Sequence, residues 1–322
     1  MLYPLTFKPI FKERVWGGRN LERLYHKPLP PGVPIGESWE ISDRPGDVST
    51  VANGPLAGKD LHWLVQNQQS ELLGKVQAQN GRFPLLIKIL DAQEKLSLQV
   101  HPPADKAREL GGEPKTEMWY IADAAPGAEL YVGLKRGVTR EEFARKIQTG
   151  EVAECFHRVR VQAGDAMFLP SGRVHAIGER LVIFEVQQNS DTTYRVFDWN
   201  RAGLDGKPRD LHIIESLASI DFNDFEPVPI RREFTGTGPI KSRALVQDSL
   251  FSVWAYELEA GASHTLAGEQ LQCIAVLSGT LQTQCHQVTQ TLGPGDFSLL
   301  PASLEQVQLQ ATQSASFLLV SA

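Results

Sequence analysis

Short runs of alternating apolar and polar residues, closed by Gly, Pro, Asn or Asp, recur along most of this chain. Side chains of a strand point alternately to its two faces, so such runs bury one face and wet the other. Many short strands of this kind can hide their apolar faces only by stacking sheets or closing barrels, and the expected fold is mainly β, a sandwich or barrel. Helices are exceptions. One is expected from Lys59 to about Leu73, with Leu61, Leu64 and Val65 at helical spacing. A second starts at Thr139, where Glu142 completes a capping box, carries Phe143 and Ile147 on one face and ends at Gly150. A third covers Asp210 to Ile220.

Periodicity lapses in DFNDFEPVPIRREFTGTGPIKSR, residues 221–243, which is rich in Pro, Gly and charge and reads as a domain boundary. An echo on either side supports two domains, 1–230 and 240–322. Gly164-Asp165 leads through Pro170 and Gly172 to His175, and Gly295-Asp296 leads through Pro301 and Ser303 to Gln306. A Gly-Asp turn, a strand, a Pro turn and a second strand suit the hairpin corner of a jelly roll. Only the first copy carries the histidine, so the C-terminal unit is expected to hold no metal.

Composition narrows the function classes. With 322 residues the chain buries enough surface to fold without metals or disulfides, so a metal would serve chemistry. Its 32 basic and 38 acidic side chains, net −6, argue against a nucleic-acid partner. No apolar run is long enough to span a bilayer and the first residues carry no apolar signal core, so a cytoplasmic protein is expected. Cys155, Cys273 and Cys285 form no C-x-x-C pair and are expected to be reduced and structural.

Chemistry concentrates in three β segments. In Leu96-Ser-Leu-Gln-Val-His101-Pro, strand parity puts Ser97, Gln99 and His101 on one face. In Lys115-Thr-Glu-Met-Trp-Tyr120 it groups Lys115, Glu117 and Trp119. Imidazole, carboxylate and amide oxygen are donors that suit Zn²⁺ or a similar divalent ion, and His175 could add a second imidazole. The same face turned to solvent would be ordinary surface, and parity alone leaves both readings open. The stretch from Glu185 to Trp199 is dense in hydrogen-bonding side chains of the kind sugar hydroxyls need. Its Arg195 suits an oxyanion or phosphate, or else a salt bridge with Asp191 or Asp198. No P-loop, G-x-G-x-x-G turn or nucleophile elbow is present.

Taken together these motifs are recognisable. Gly164 to His175 resembles the second cupin motif, with Glu179 where an Asn is usual, while the first cupin motif is replaced by Gln99-Val-His101-Pro102 and Lys115-Thr-Glu117. That replacement resembles type I phosphomannose isomerase. So do FKPIFKERVWGG (7–18), GESWEIS (36–42), LLIKILDA (85–92), LSLQVHP (96–102), KTEMWYI (115–121), LPSGRVHAIG (169–178) and VQQNSDTTYRVFDW (186–199), in consistent order over roughly the first two hundred residues. One departure is Pro103 after His101-Pro102, where an acidic residue is common.

The resemblance implies two jelly-roll (cupin) β-barrel modules with a few helical insertions. The first would be a catalytic zinc-binding domain and the second a degenerate, metal-free cupin. It implies one Zn²⁺ per chain on His101, Glu117 and His175, with Gln99 as a fourth ligand. Ser97 and Lys115 would meet the substrate phosphate, and Arg195 would be the catalytic arginine. The implied reaction interconverts mannose 6-phosphate and fructose 6-phosphate through a cis-enediol. Glu185 is a candidate base from its strand position, with a metal-bound water or a neutral histidine as rivals. A non-catalytic sugar-phosphate-binding cupin and a metal-dependent cupin oxygenase are the competing readings. The expected partner is a small sugar phosphate.

Overall fold

The structure is a computed structural model that describes residues 2–231 and 233–322. It is mainly β, with 42% strand against 13% helix. Four large antiparallel sheets form two pairs. In the first pair, one sheet runs in spatial order Ala166–Leu169, Glu117–Ala124, Leu181–Gln188, Leu85–Ala92, Ile35–Ile41 and Ile10–Gly18. Its mate runs Phe156–Arg160, Glu129–Leu134, His175–Ile177, Leu98–Val100 and Tyr194–Phe197.

The second pair repeats this plan. One sheet is Phe297–Leu300, Gln272–Ser278, Ala315–Ser321, Ser252–Leu258 and Ile240–Gln247; the other is Val288–Leu292, Leu281–Cys285, Gln306–Ala311 and Ser263–Ala267. Numbered by chain position, the strands read 7-4-9-2-1 and 6-5-8-3 in both pairs, the first pair adding only the edge strands Ile10–Gly18 and Tyr194–Phe197. The short Gly-Asp echo is therefore part of a nine-strand repeat.

The larger sheets of the two pairs lie back to back. A single apolar cluster joins Ile87, Met118, Phe184 and Val186 of the first to Val253, Cys273, Leu318 and Val320 of the second. Phe184 stacks on Phe297 at 5.6 Å, and Leu5 and Leu299 exchange two backbone hydrogen bonds of 2.8 Å. The larger N-terminal sheet is thus covered on both faces, by its mate and by the C-terminal sheet. That explains why LVIFEVQQ and LLIKILDA are buried almost throughout instead of alternating. In such a strand a charged side chain has no solvent to face, and Lys88 and Glu185 turn inward together.

Two helices, Arg140–Thr149 and Ile213–Ser219, pack through Phe143, Ile147 and Leu217 against the smaller N-terminal sheet, near Leu98, Val100, Tyr131 and Ala176. Thr139 accepts from the Glu142 N–H and Gly150 closes Arg140–Thr149 in the left-handed region. The helix expected over 59–73 is two, Leu61–Asn67 capped by Asp60 and Gln69–Leu73, because Gln68 leaves helical geometry with φ −140°. The third helix is shorter than expected, Ile213–Ser219. Asn20–Tyr25 and Ala104–Ala107 are helical without having been expected; they are too short to show periodicity. The three cysteines are free and buried. No helix among the described residues is long and apolar enough to cross a membrane.

Candidate active site and metal centre

Parity places the site. Glu117 and Trp119 project between the paired sheets while Met118 faces the C-terminal sheet. His101, Glu117 and His175 converge, with candidate ligand atoms all within 4.8 Å of one another. His101 Nε2 lies 3.4 Å from Glu117 Oε2 and His175 Nε2 lies 3.3 Å from Glu117 Oε1. All three side chains are buried. The outward-facing, solvated reading of this face is therefore excluded.

The protonation of the two rings follows from their other nitrogens. His101 Nδ1 is 2.8 Å from the Thr192 carbonyl and His175 Nδ1 is 2.9 Å from the Arg173 carbonyl. A carbonyl only accepts, so each Nδ1 carries the hydrogen and each Nε2 turns a lone pair toward Glu117. Burial, helped by the nearby Lys115 ammonium, pushes His101 down to about 3, and burial lowers His175 as well, so both rings are neutral. Burial works against ionisation of Glu117, but the Lys115 ammonium beside it holds the carboxyl well below its usual range. His101 Nε2 and Glu117 Oε1 are buried without a hydrogen-bond partner, and Glu117 Oε2 has only the Lys115 ammonium, at 2.9 Å. Orphaned polar atoms of this kind are costly unless something satisfies them. Two neutral imidazoles and a carboxylate fit Zn²⁺ by number, type and charge. Gln99 stands directly across the strand ladder from His175, with its amide nitrogen 3.2 Å from His175 Nε2 and its oxygen accepting from Ser97, so the amide must turn over to offer its oxygen as a fourth ligand.

Above this cluster opens a cleft of about 650 Å³. Gln99 and Lys115 form its floor, with Ser97, Glu185, Arg195 and Trp119 around it. Lys115 sits 2.9 Å from Glu117 Oε2 and 4.0 Å from Glu185 Oε1, which places it at the metal centre, linking the two carboxylates. Ser97 is buried and donates to Gln99 Oε1 at 3.3 Å. Glu185 receives the Trp119 indole N–H at 2.8 Å and pairs with Lys88 at 2.9 Å. Burial raises the Glu185 carboxyl, Lys88 opposing and Glu117 adding to the rise. Arg195 lies across the ladder from Gln99, and its guanidinium has no carboxylate partner among the described residues, its Nε being buried and unsatisfied. The salt bridge to Asp198 is not formed, because Asp198 is taken by Arg201 and Arg209.

Sequence reasoning missed Glu37, Lys88, Arg14 and Arg209. Lys88 pairs with Glu185 and lies 3.6 Å from Glu37, and Arg14 donates to Glu37 at 2.8 Å. Burial works against the Glu37 charge, but Lys88 and Arg14 outweigh it and hold the carboxyl down to about 2. The signal was present in LLIKILDA: a lysine in an otherwise apolar strand must have a buried partner.

The sequence pattern of the family described as "Phosphomannose isomerase type I, catalytic domain" matches residues 5–143. Mannose-6-phosphate isomerase ManA of Bacillus subtilis is 37% identical over 311 residues, covering 95% of this chain and 96% of its own. The chain belongs to the type I phosphomannose isomerases. The mannose-6-phosphate isomerase of Streptococcus mutans is 33% identical, with 96% and 95% covered. The crystal structure of the Bacillus subtilis mannose 6-phosphate isomerase superposes with a TM-score of 0.89 at 31% identity, over 99% of both chains. A zinc-bound mannose 6-phosphate isomerase shares the fold, with a TM-score of 0.80 at 16% identity. The family's members are isomerases, and the cleft described above adjoins the His101–Glu117–His175 cluster through Lys115 and Gln99.

Proposed function

We propose that this chain is a zinc-dependent aldose–ketose isomerase that interconverts D-mannose 6-phosphate and D-fructose 6-phosphate through a cis-enediol. The observation that carries this reading is the buried His101–Glu117–His175 cluster, with two ligand atoms left unsatisfied, beside a polar cleft in a chain of this family. His101, Glu117 and His175 would hold one Zn²⁺ per chain, with Gln99 as fourth donor. When bound, the ion supplies Lewis acidity that polarises the sugar oxygens.

The chain's own groups account for the remaining steps. Glu185, raised by burial and held in place by Trp119 and Lys88, removes the C2 proton and returns it at C1. A histidine base is less well supported, because each ring commits Nδ1–H to a backbone carbonyl and Nε2 to the metal cluster. Arg195 stays protonated and stabilises the enediolate while orienting the sugar. Ser97 and Lys115, which both line the cleft, meet the substrate phosphate. Three buried free thiols suit a reducing compartment, and we place the enzyme in the cytoplasm. We read residues 1–230 and 240–322 as two jelly-roll modules, the second structural and without metal.

A coupled assay following fructose 6-phosphate formed from mannose 6-phosphate under anaerobic conditions tests the reading. Turnover that needs no O₂ supports the isomerase. Binding without turnover would replace it with a sugar-phosphate-binding protein, and a requirement for O₂ with an oxygenase.

A further inference from the structure

The segment that follows Ile213–Ser219 has the composition of a loose connection, yet it is bonded to the first sheet pair along its length. The Asp224 carbonyl takes the Leu134 N–H at 2.9 Å, and the Glu226 N–H returns to the Leu134 carbonyl at 3.0 Å. Ile230 and Ala166 exchange two backbone hydrogen bonds, of 2.7 and 3.2 Å. Arg231 grips Asp165 through Nε and Nη2, both at 2.9 Å. Phe222 and Phe225 pack onto the apolar cluster of the smaller sheet. The lapse in periodicity over residues 221–231 therefore marks a strap and not a free linker.

The start of the strap reaches the turn that carries His175. Gly172 donates its N–H to the His101 carbonyl at 2.9 Å, and its own carbonyl accepts the Asp221 N–H at 2.9 Å. Its φ is 91°, and a Cβ there would stand 3.3 Å from the Ser219 carbonyl, so both conformation and close approach favour glycine. The next residue, Arg173, provides the carbonyl that accepts the His175 Nδ1 hydrogen. Its side chain braces the turn from two sides. Nη1 donates to the Phe168 carbonyl at 2.7 Å, while Nε and Nη2 bind the two carboxylate oxygens of Asp224 at 2.8 and 2.7 Å. This pair is largely buried, with 17% of the Arg173 side chain and 16% of the Asp224 side chain exposed. A guanidinium that holds a carboxylate at two points fixes orientation as well as distance.

We propose that Asp224 is a positioning residue of the metal centre: through Arg173 it holds the carbonyl that orients His175, so the strap between the two sheet pairs governs how tightly zinc is held. The proposal rests on the reading that His101, Glu117 and His175 bind Zn²⁺. The physical link is the tautomer. A neutral His175 offers Nε2 to a metal only while Nδ1 carries the hydrogen, and the Arg173 carbonyl is the acceptor that keeps it there. Without Asp224 the Arg173 guanidinium keeps only the Phe168 carbonyl, the turn loosens, and the ring exchanges between tautomers. Partners that orient a ligand in this way govern about 10- to 100-fold in metal affinity. Arg231 and Asp165 provide a contrast within the same strap, since the Arg231 side chain bonds to Asp165 and the Arg160 carbonyl and not to the turn that carries His175.

The test compares wild type, Asp224→Ala, Asp224→Asn, Asp224→Glu and Arg231→Ala. Zinc affinity is read by competition with a chelator, zinc release by mixing the zinc-loaded protein with excess chelator, and stability by urea unfolding of the metal-free protein. Asp224→Ala should weaken zinc binding by about 10- to 100-fold and speed its release. Asp224→Glu should recover part of the loss, and Asp224→Asn, which keeps the shape and one acceptor, reads the same loss if the alanine variant does not fold. Arg231→Ala should lower stability while zinc affinity and release stay as in wild type. Nitrogen-15 NMR of the imidazoles in metal-free protein should show His175 as a single Nδ1–H tautomer in wild type and as a mixture in Asp224→Ala. Unchanged zinc affinity in a folded Asp224 variant, or an equal loss in Arg231→Ala, overturns the proposal. Failure of the wild type to bind zinc overturns the metal reading instead, and the tautomer of His175 in metal-free protein then decides the role of Asp224 separately.

Discussion

The two sheet pairs share one strand order but not one interior. Between the sheets of the first pair lie His101, Glu117, His175, Lys88 and Glu185. Between those of the second lie Leu258, Ile274, Leu281, Val307, Leu309 and Phe317, an apolar filling. The corner that aligns with His175 differs in facing as well as in residue type. Gln306 begins a strand with strict alternation, exposed at Gln306, Gln308 and Gln310 and buried at Val307, Leu309 and Ala311, so its side chain lies outside the core. His264 packs against the Tyr256 ring at 5.4 Å, and His286 occupies an exposed turn. The same topology therefore supports a charged site when buried polar atoms satisfy one another, and a plain scaffold when they are replaced by aliphatic side chains.

The largest expected effect tests the polar interior. His175→Ala or Glu117→Ala should remove bound zinc and lower kcat by 10³-fold or more, an order-of-magnitude figure for losing a Lewis acid. The readouts are elemental analysis and the coupled assay, and a variant retaining zinc would show that the cluster is not the ligand set. His264→Ala and His286→Ala should leave metal content untouched; loss of zinc in either would show that the second unit is more than a scaffold.

Next in size is Arg195→Ala, expected to lower kcat and kcat/KM together by about 10²- to 10³-fold, because the enediolate exists only near the transition state. Steady-state kinetics at saturating and limiting substrate decide it. If kcat survives and only affinity falls, Arg195 serves the substrate phosphate and not the enediolate.

The apolar interior should answer differently. Leu309→Ala, at a fully buried position, should cost about 2–5 kcal/mol of unfolding free energy while the folded fraction keeps its zinc. Chemical denaturation with metal analysis of the folded fraction checks both halves of that statement.

The acid limb of stability offers a subtler contrast. Glu37 is held at about 2 by Lys88 and Arg14 against the opposing effect of burial. A depressed carboxyl contributes stability that is complete above its unfolded value, near 4.5, and fades as pH falls toward 2. By that linkage the contribution is on the order of 3 kcal/mol at neutral pH. Glu37→Gln should flatten the loss of stability between those two pH values. An unchanged pH profile would mean that Glu37 has no special environment.

The strands around the site were readable because parity needs only local sequence: Ser97, Gln99 and His101 share a face whatever lies elsewhere, and so do Lys115, Glu117 and Trp119. The echo at Gly164 and Gly295 was readable because a Gly-Asp turn demands particular residues, and both glycines adopt positive φ, 93° and 79°. The roles of Lys88 and Glu37 were not readable, since their partners lie across the sheet and sequence periodicity carries no pairing. The pairing of Arg209 with Asp198 closes a hairpin beside the cleft, a contact invisible to spacing. The resemblance assigns Lys115 to the substrate phosphate, and the fold adds that its ammonium lines the cleft and pairs with Glu117, a contact that spacing does not show. The break at Gln68, whose φ of −140° splits one helical pattern in two, was likewise not marked by any Gly or Pro in the sequence.

The central claim, one metal in the first interior and none in the second, is tested most directly by adding Zn²⁺ stepwise to chelator-stripped protein while recording isomerisation of mannose 6-phosphate. The account predicts negligible activity at zero zinc and a linear rise that breaks at one equivalent per chain. Full activity in protein shown to be metal-free, or a rise that continues to two equivalents, would contradict it.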